Sequence, residues 1–144
     1  MQTKLLSVFN SNHHSLAPLL LRLVIGIIFI GHGYGKLFAD GNPGNFAAWL
    51  ASLGLEPSYL LAVFTGLAET FGGLLIILGL LTRFAAASCI IVMTIAIAFV
   101  HIDNGMFGQG GYEFQLLLWV SCLFFIIQGT GKWSLDSLIR TKAQ

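Results

Sequence analysis

Four stretches of nearly unbroken apolar sequence, Leu16 to Leu37, Pro57 to Leu80, Arg83 to His101 and Tyr112 to Gln128, set the limits on what this chain can fold into. A helix that crosses the hydrocarbon core of a bilayer needs roughly 20 mostly apolar residues, and each stretch comes close to that length. The composition agrees with this reading. Hydrophobic residues make up 56% of the chain and charged residues 9%, with a mean hydropathy of +0.85, whereas a soluble domain carries about 25% charged residues. The expected fold is an all-α integral membrane protein: an antiparallel bundle of four transmembrane helices over residues 16–138. A polar segment, 1–15, precedes it and a short tail, 139–144, follows. No small-x-small cleavage site closes the first apolar run, so it reads as a retained helix and not as a signal peptide.

The connections carry their own signals. Only Leu81-Thr82-Arg83 separates the second and third runs, which predicts a tight antiparallel hairpin. Asp40-Gly41-Asn42-Pro43-Gly44 is turn chemistry. Beyond it, Phe46, Trp49, Leu50 and Leu53 recur at helical spacing, which predicts a short interfacial helix between spans 1 and 2. Gly54 should end that helix and Pro57 open the second span. The segment from Asp103 to Gly111, with its four glycines, reads as a mobile cap. Gly33-Tyr34-Gly35-Lys36 and Gly129-Thr130-Gly131-Lys132 read as glycine helix stops followed by a basic residue. Ser134 is placed to cap a last amphipathic turn through Leu135, Leu138 and Ile139.

If the spans alternate, Lys4, Arg22, Arg83, Lys132, Arg140 and Lys142 fall on one side and Lys36 alone on the other. The positive-inside rule then places both termini in the cytoplasm. Asp40, Glu56, Asp103 and Glu113 join Lys36 at the outer side.

Ionisable groups at membrane depth are costly, about 2.5–3.5 kcal/mol each on insertion scales, and usually face a bundle interior. Glu69 sits near the middle of the second span, flanked by Thr65, Gly66, Gly72 and Gly73, and small residues at that spacing admit a neighbouring helix. Arg22, Gly26, Phe29, Gly33 and Lys36 share one stripe of the first helix. Two partners for Glu69 stand open, Arg22 from the cytoplasmic side or His32 from the outer side. An Arg22–Glu69 buried ion pair is the architectural reading, and Glu69 as a proton carrier is the functional one.

A second cluster is expected at the outer rim, where His32, Lys36, His101, Asp103 and Glu113 should meet as a ligand-binding site. Its chemistry suits a transition metal, a quinone held by His and Lys with Glu69 or Glu113 carrying the proton, or an oxidised sulfur anion. The absence of H-x-x-x-H and H-E-x-x-H spacing makes a metal the weakest of the three. His13 and His14 lie in the polar N-terminal segment. Cys89 and Cys122 fall inside apolar runs without C-x-x-C spacing, which argues against a thioredoxin-like dithiol or a structural zinc site and for small apolar filler.

Several motifs occur in order: Arg22…Gly26…His32-Gly33…Gly35-Lys36-Leu37, then Gly66-Leu67-Ala68-Glu69…Gly72-Gly73, Gly79-Leu80-Leu81-Thr82-Arg83, His101, Gly111-Tyr112-Glu113, and Gly129-Thr130-Gly131-Lys132…Ser134-Leu135-Asp136. This series resembles the DoxX family over about residues 16 to 138. The resemblance implies a bacterial inner-membrane protein. Relatives of that kind are linked to thiosulfate:quinone oxidoreductases or to membrane complexes for thiol and oxidative-stress homeostasis. It also implies that Arg22, Lys36, Glu69, His101 and Glu113 are the motif's polar positions.

The sequence supplies no flavin, haem or dithiol motif, so redox chemistry would require a bound quinone or a partner oxidoreductase subunit. Besides the bilayer and such a partner, a homo-oligomer is considered; no nucleic-acid partner is expected. Two rival functions are carried alongside the redox subunit. One is a non-enzymatic scaffold or anchor for a partner oxidoreductase or metal-handling system. The other is a small-solute transporter, for which four helices leave little room unless the chain oligomerises.

Overall fold

A computed structural model describes residues 16–39 and 41–142. Lys4, His13, His14 and Asp40 lie outside the described residues, as do the side chains of Arg140 and Lys142. The described chain is all-α. Its helices are α1 (Ala17–Phe38), α2 (Gly44–Ser52), α3 (Ser58–Leu78), α4 (Thr82–Ala96), α5 (Glu113–Gln128) and α6 (Leu135–Lys142). After α4 the chain tightens through a π-helical turn, Ile97–His101, and a 3₁₀ turn, Ile102–Asn104.

Three helical stretches, Ala17–Phe38, Ser58–Leu78 and Thr82–Asn104, are long and apolar enough to cross a membrane; Glu113–Gln128 is apolar but shorter. At about 1.5 Å per residue, the 22 residues of α1 span about 33 Å, close to the thickness of a bilayer's hydrocarbon. The outward faces are apolar, as lipid requires: Ile27, Phe64, Phe84, Ile91, Leu117 and Ile127 are all exposed.

α1 and α3 lie closest together, and their glycines are the reason. A Cβ on Gly26 would come within 2.7 Å of the Gly73 carbonyl oxygen, and one on Gly73 within 2.7 Å of the Gly26 carbonyl oxygen. Gly33 approaches the Gly66 backbone in the same way. Without side chains to separate them, the two backbones touch, and van der Waals contact holds the pair where lipid offers no hydrophobic driving force. Helix α3 also packs on α4, and α4 on α5, whereas α1 and α5 meet sparingly. Ile25, Phe29, Ile76, Cys89, Met93, Leu118, Cys122 and Phe125 fill the shared core.

The end of the bundle where α3 turns into α4 is closed by the segment that follows α5. Gly129 ends that helix at φ +77°, as a glycine stop should. The other expected stop fails: α1 runs through Gly33-Tyr34-Gly35-Lys36 to Phe38, because Gly33 serves helix packing and Gly35 adopts no positive φ. Ser134 accepts a hydrogen bond from the Ser137 amide at 3.2 Å and so caps α6. Asp136 accepts from the amides of Leu81 (3.0 Å) and Thr82 (3.4 Å), and its own amide donates to the Gly79 carbonyl at 2.9 Å. One carboxylate thus caps the start of α4 and pins the tight α3–α4 hairpin, in which Leu81 itself adopts φ +47°.

Candidate functional site

Arg22 and Glu69 are each 1% exposed, and the structure keeps them apart. The expected Arg22–Glu69 ion pair is not formed. Arg22 donates instead to the backbone carbonyls of Thr130, at 3.1 Å, and Trp133, and Glu69 forms its ion pair with Lys36.

Helix register explains the difference. Gly26 faces Gly73 and Gly33 faces Gly66, so Arg22 comes level with Gly79, which its guanidinium contacts. Gly79 lies ten residues beyond Glu69, about 15 Å along the axis, farther than an arginine side chain can bridge. The same register puts Glu69 level with the C-terminal third of α1, where Lys36 reaches it. The expectation of a mid-membrane layer and a separate rim therefore gives way to one continuous site.

That site is a cavity of about 280 Å³ between α1, α3, α4 and α5, roofed by α2. Phe29, Val92, Met93 and Leu118 form much of its apolar wall, and Phe46, Trp49, Leu50 and Leu55 cover it from α2 and the connection that follows. The polar groups lining it are His32, Lys36, Thr65, Glu69, His101 and Gln115. Lys36 also lies 5.4 Å from the centroid of the Phe46 ring, a cation–π contact that holds the ammonium under the roof. A short helix, α2, appears where the sequence places one, with Ala47 and Leu50 buried against α3 and Trp49 partly exposed.

His101 reaches the cavity from the π-helical turn at the end of α4, the kind of local widening often found where a helix must redirect a functional side chain. Its Nδ1 lies 2.7 Å from the Gly110 carbonyl and its Nε2 2.9 Å from the Gln115 side-chain amide. A carbonyl can only accept, so Nδ1 carries the proton and Nε2 accepts from Gln115. On α1, the ring of His32 packs against Phe114 with centroids 5.9 Å apart.

The glycine-rich loop, expected as a mobile cap, folds into a hydrogen-bonded turn. The amides of Tyr112 and Glu113 donate to the carbonyls of Gly105 and Met106 at 3.3 and 3.1 Å, and Asn104 donates to Gly110 at 3.1 Å. Asp103 and Glu113 are exposed on it and do not line the cavity. The expected rim cluster is therefore split. His32, Lys36 and His101 come together with Glu69, while Asp103 and Glu113 stand outside.

Gln115 and the aromatic walls were not foreseen. Gln115 is an uncharged polar residue in an apolar run, a signal that was present in the sequence but too common to single out.

A family model for DoxX matches residues 17–102. The chain belongs to the DoxX family. Its curated relatives include an uncharacterized membrane protein of Mycobacterium tuberculosis, 29% identical over 136 residues that cover 85% of this chain and 81% of that one. An uncharacterized Haemophilus influenzae protein is 34% identical over 81% of this chain and 86% of its own. CatD of Bacillus subtilis, whose name assigns it provisionally to the oxidoreductases, is 33% identical over 72% of this chain and 73% of its own. No solved structure is significantly similar. The DoxX match spans α1 through the π-helical turn, and so covers Lys36, Glu69 and His101 while leaving out Gln115.

Proposed function

We propose that this DoxX protein is the membrane subunit of a redox system and that its cavity holds the head group of a quinone. The observation that carries the reading is the Lys36–Glu69 pair, its carboxylate buried, set into a largely apolar, aromatic-walled cavity. Small-molecule sites combine just these parts, an apolar enclosure and a few fixed polar groups. At about 280 Å³ the space suits a single-ring head group. Lys36 donates to one quinone oxygen and His32 stands near the same rim. Glu69 carries the proton that a reduced quinone oxygen needs, handing it on through Lys36. Electrons come from a partner oxidoreductase, in keeping with the name of the Bacillus relative.

In this reading α5 makes a fourth crossing, both termini are cytoplasmic, and the membrane is the bacterial inner membrane. Reporter fusions at the C-terminus and in the Gly105–Gly111 loop test the orientation.

Trp49 lines the cavity and quinones quench indole fluorescence, which supplies the binding test. In a Trp119→Phe/Trp133→Phe background in nanodiscs, decylubiquinone should quench Trp49 saturably. Lys36→Met should weaken binding about tenfold, the worth of one charge-assisted hydrogen bond. Unsaturable quenching that is the same in both proteins would refute the proposal.

A further inference from the structure

A second cavity, of about 530 Å³, opens at the end of the bundle where α3 turns into α4. Its walls are the α3–α4 turn with the first residues of α4, the Gln128–Gly131 end of α5, and residues of α6. Helices α3 and α4 belong to stretches long enough to cross a membrane, so the turn between them meets the bilayer surface at the depth of the lipid head groups.

The lining divides into three parts. Leu81, Phe84 and Ile139 are exposed apolar side chains, suited to acyl chains and of no use to a water-soluble ligand. Arg83 and Gln128 are exposed, and neither side chain forms a hydrogen bond or ion pair among the described residues. The Arg83 guanidinium reaches across to α5, where a Cβ on Gly129 would meet it at 4.0 Å. Asp136 is the third part. Its two oxygens accept from the Leu81 and Thr82 amides, and each keeps a further lone pair.

Arg83 and Asp136 thus share one pocket without pairing, unlike Lys36 and Glu69. Two opposite charges held apart leave room between them for a ligand that carries both signs. The hydroxyls of Thr130 and Ser137 are spent within their own segment. Arg22 is buried and already holds the Thr130 and Trp133 carbonyls, so it offers the pocket no donor.

We propose that this pocket binds the head group of a phosphatidylethanolamine, its phosphate on Arg83 and Gln128 and its ammonium on Asp136. A guanidinium meets two phosphate oxygens at once. A primary ammonium donates hydrogen bonds to a carboxylate, whereas a choline head group has no N–H to donate and a glycerol head group brings no positive charge. The acyl chains run past Phe84 and Ile139 into the hydrocarbon.

Native mass spectrometry of the full chain in detergent, titrated with one lipid at a time, reads the binding. Phosphatidylethanolamine should bind about tenfold more tightly than phosphatidylcholine or phosphatidylglycerol with identical acyl chains. Arg83→Gln should lose about tenfold in affinity for phosphatidylethanolamine. It should unfold at the wild-type midpoint, since Arg83 has no partner to lose. Asp136→Asn, whose amide oxygen still caps α4, should bring phosphatidylethanolamine down to the level of phosphatidylcholine. Equal affinity of the wild type for the three lipids would overturn the proposal, as would an Arg83→Gln protein that binds phosphatidylethanolamine like the wild type. Equally tight binding of O-phosphoethanolamine, which has the head group without the chains, would also overturn it, because the ligand would then be a soluble one.

Discussion

Helix α1 carries a cation near each of its ends, and the two are treated in opposite ways. At the inner end, Arg22 is 1% exposed and bonded to the carbonyls of Thr130 and Trp133, amid a segment whose other groups cap α4 and α6. At the outer end, Lys36 pairs with Glu69 at the edge of an open cavity and keeps 21% of its side chain exposed. A planar guanidinium with five donors suits fixed backbone acceptors, while a flexible ammonium suits a group that must exchange partners. The comparison teaches that burial of a charge does not by itself mark a functional site. What its partners are, and whether space adjoins it, separates a lock from a working pair.

The largest effect should come from the lock. Arg22→Met strips the Thr130 and Trp133 carbonyls of their donor at a buried position, and should cost about 3 kcal/mol or more, read as a lowered unfolding midpoint in detergent or loss of accumulated protein. If Arg22→Met were as stable as wild type, the contrast between the two ends would collapse.

Next is the α1–α3 contact that joins them. Gly73→Ala puts a methyl group against the Gly26 carbonyl and should cost about 2 kcal/mol, since neither backbone can yield alone. Asp136→Ala, which uncaps α4, should cost about 1 kcal/mol by the same measurement.

The smallest effect on stability should come from the outer pair. Exchanging both partners, Lys36→Met with Glu69→Gln, removes the two charges together and should stay within about 1 kcal/mol of wild type. A loss as large as that of Arg22→Met would make the outer pair a second lock.

Much of the fold was legible. The apolar runs at 16–37, 57–80, 83–101 and 112–128 fall on helices at Ala17–Phe38, Ser58–Leu78, Thr82–Asn104 and Glu113–Gln128, the first three long enough to cross a membrane, because apolar run length is a local property. Gly129 as a helix stop and Ser134 as a cap were equally local. The partner of Glu69 was not, because it depends on how two helices slide past one another. Centring both spans on one plane left Arg22 and His32 equally placed. Docking Gly26 on Gly73 and Gly33 on Gly66 shifts the register and favours Lys36. The hydrogen bonds of the loop after α4 were hidden for a related reason. Its glycines suggest freedom, but the acceptor sites that tie it down, on Gly105, Met106 and Gly110, are visible only once the chain turns back on itself.

The sequence by itself determined that this is a helical membrane protein of the DoxX family type, where its helices begin and end, and that Glu69 must face another helix. Those conclusions rest on hydrophobic run length, turn chemistry and the cost of a charge in lipid, each readable within a short window. Only the tertiary structure decided that Lys36 holds Glu69, that Arg22 binds the segment after α5, and that His32 and His101 share one cavity. Those are outcomes of helix register, which is set by glycine contacts distributed over separate helices.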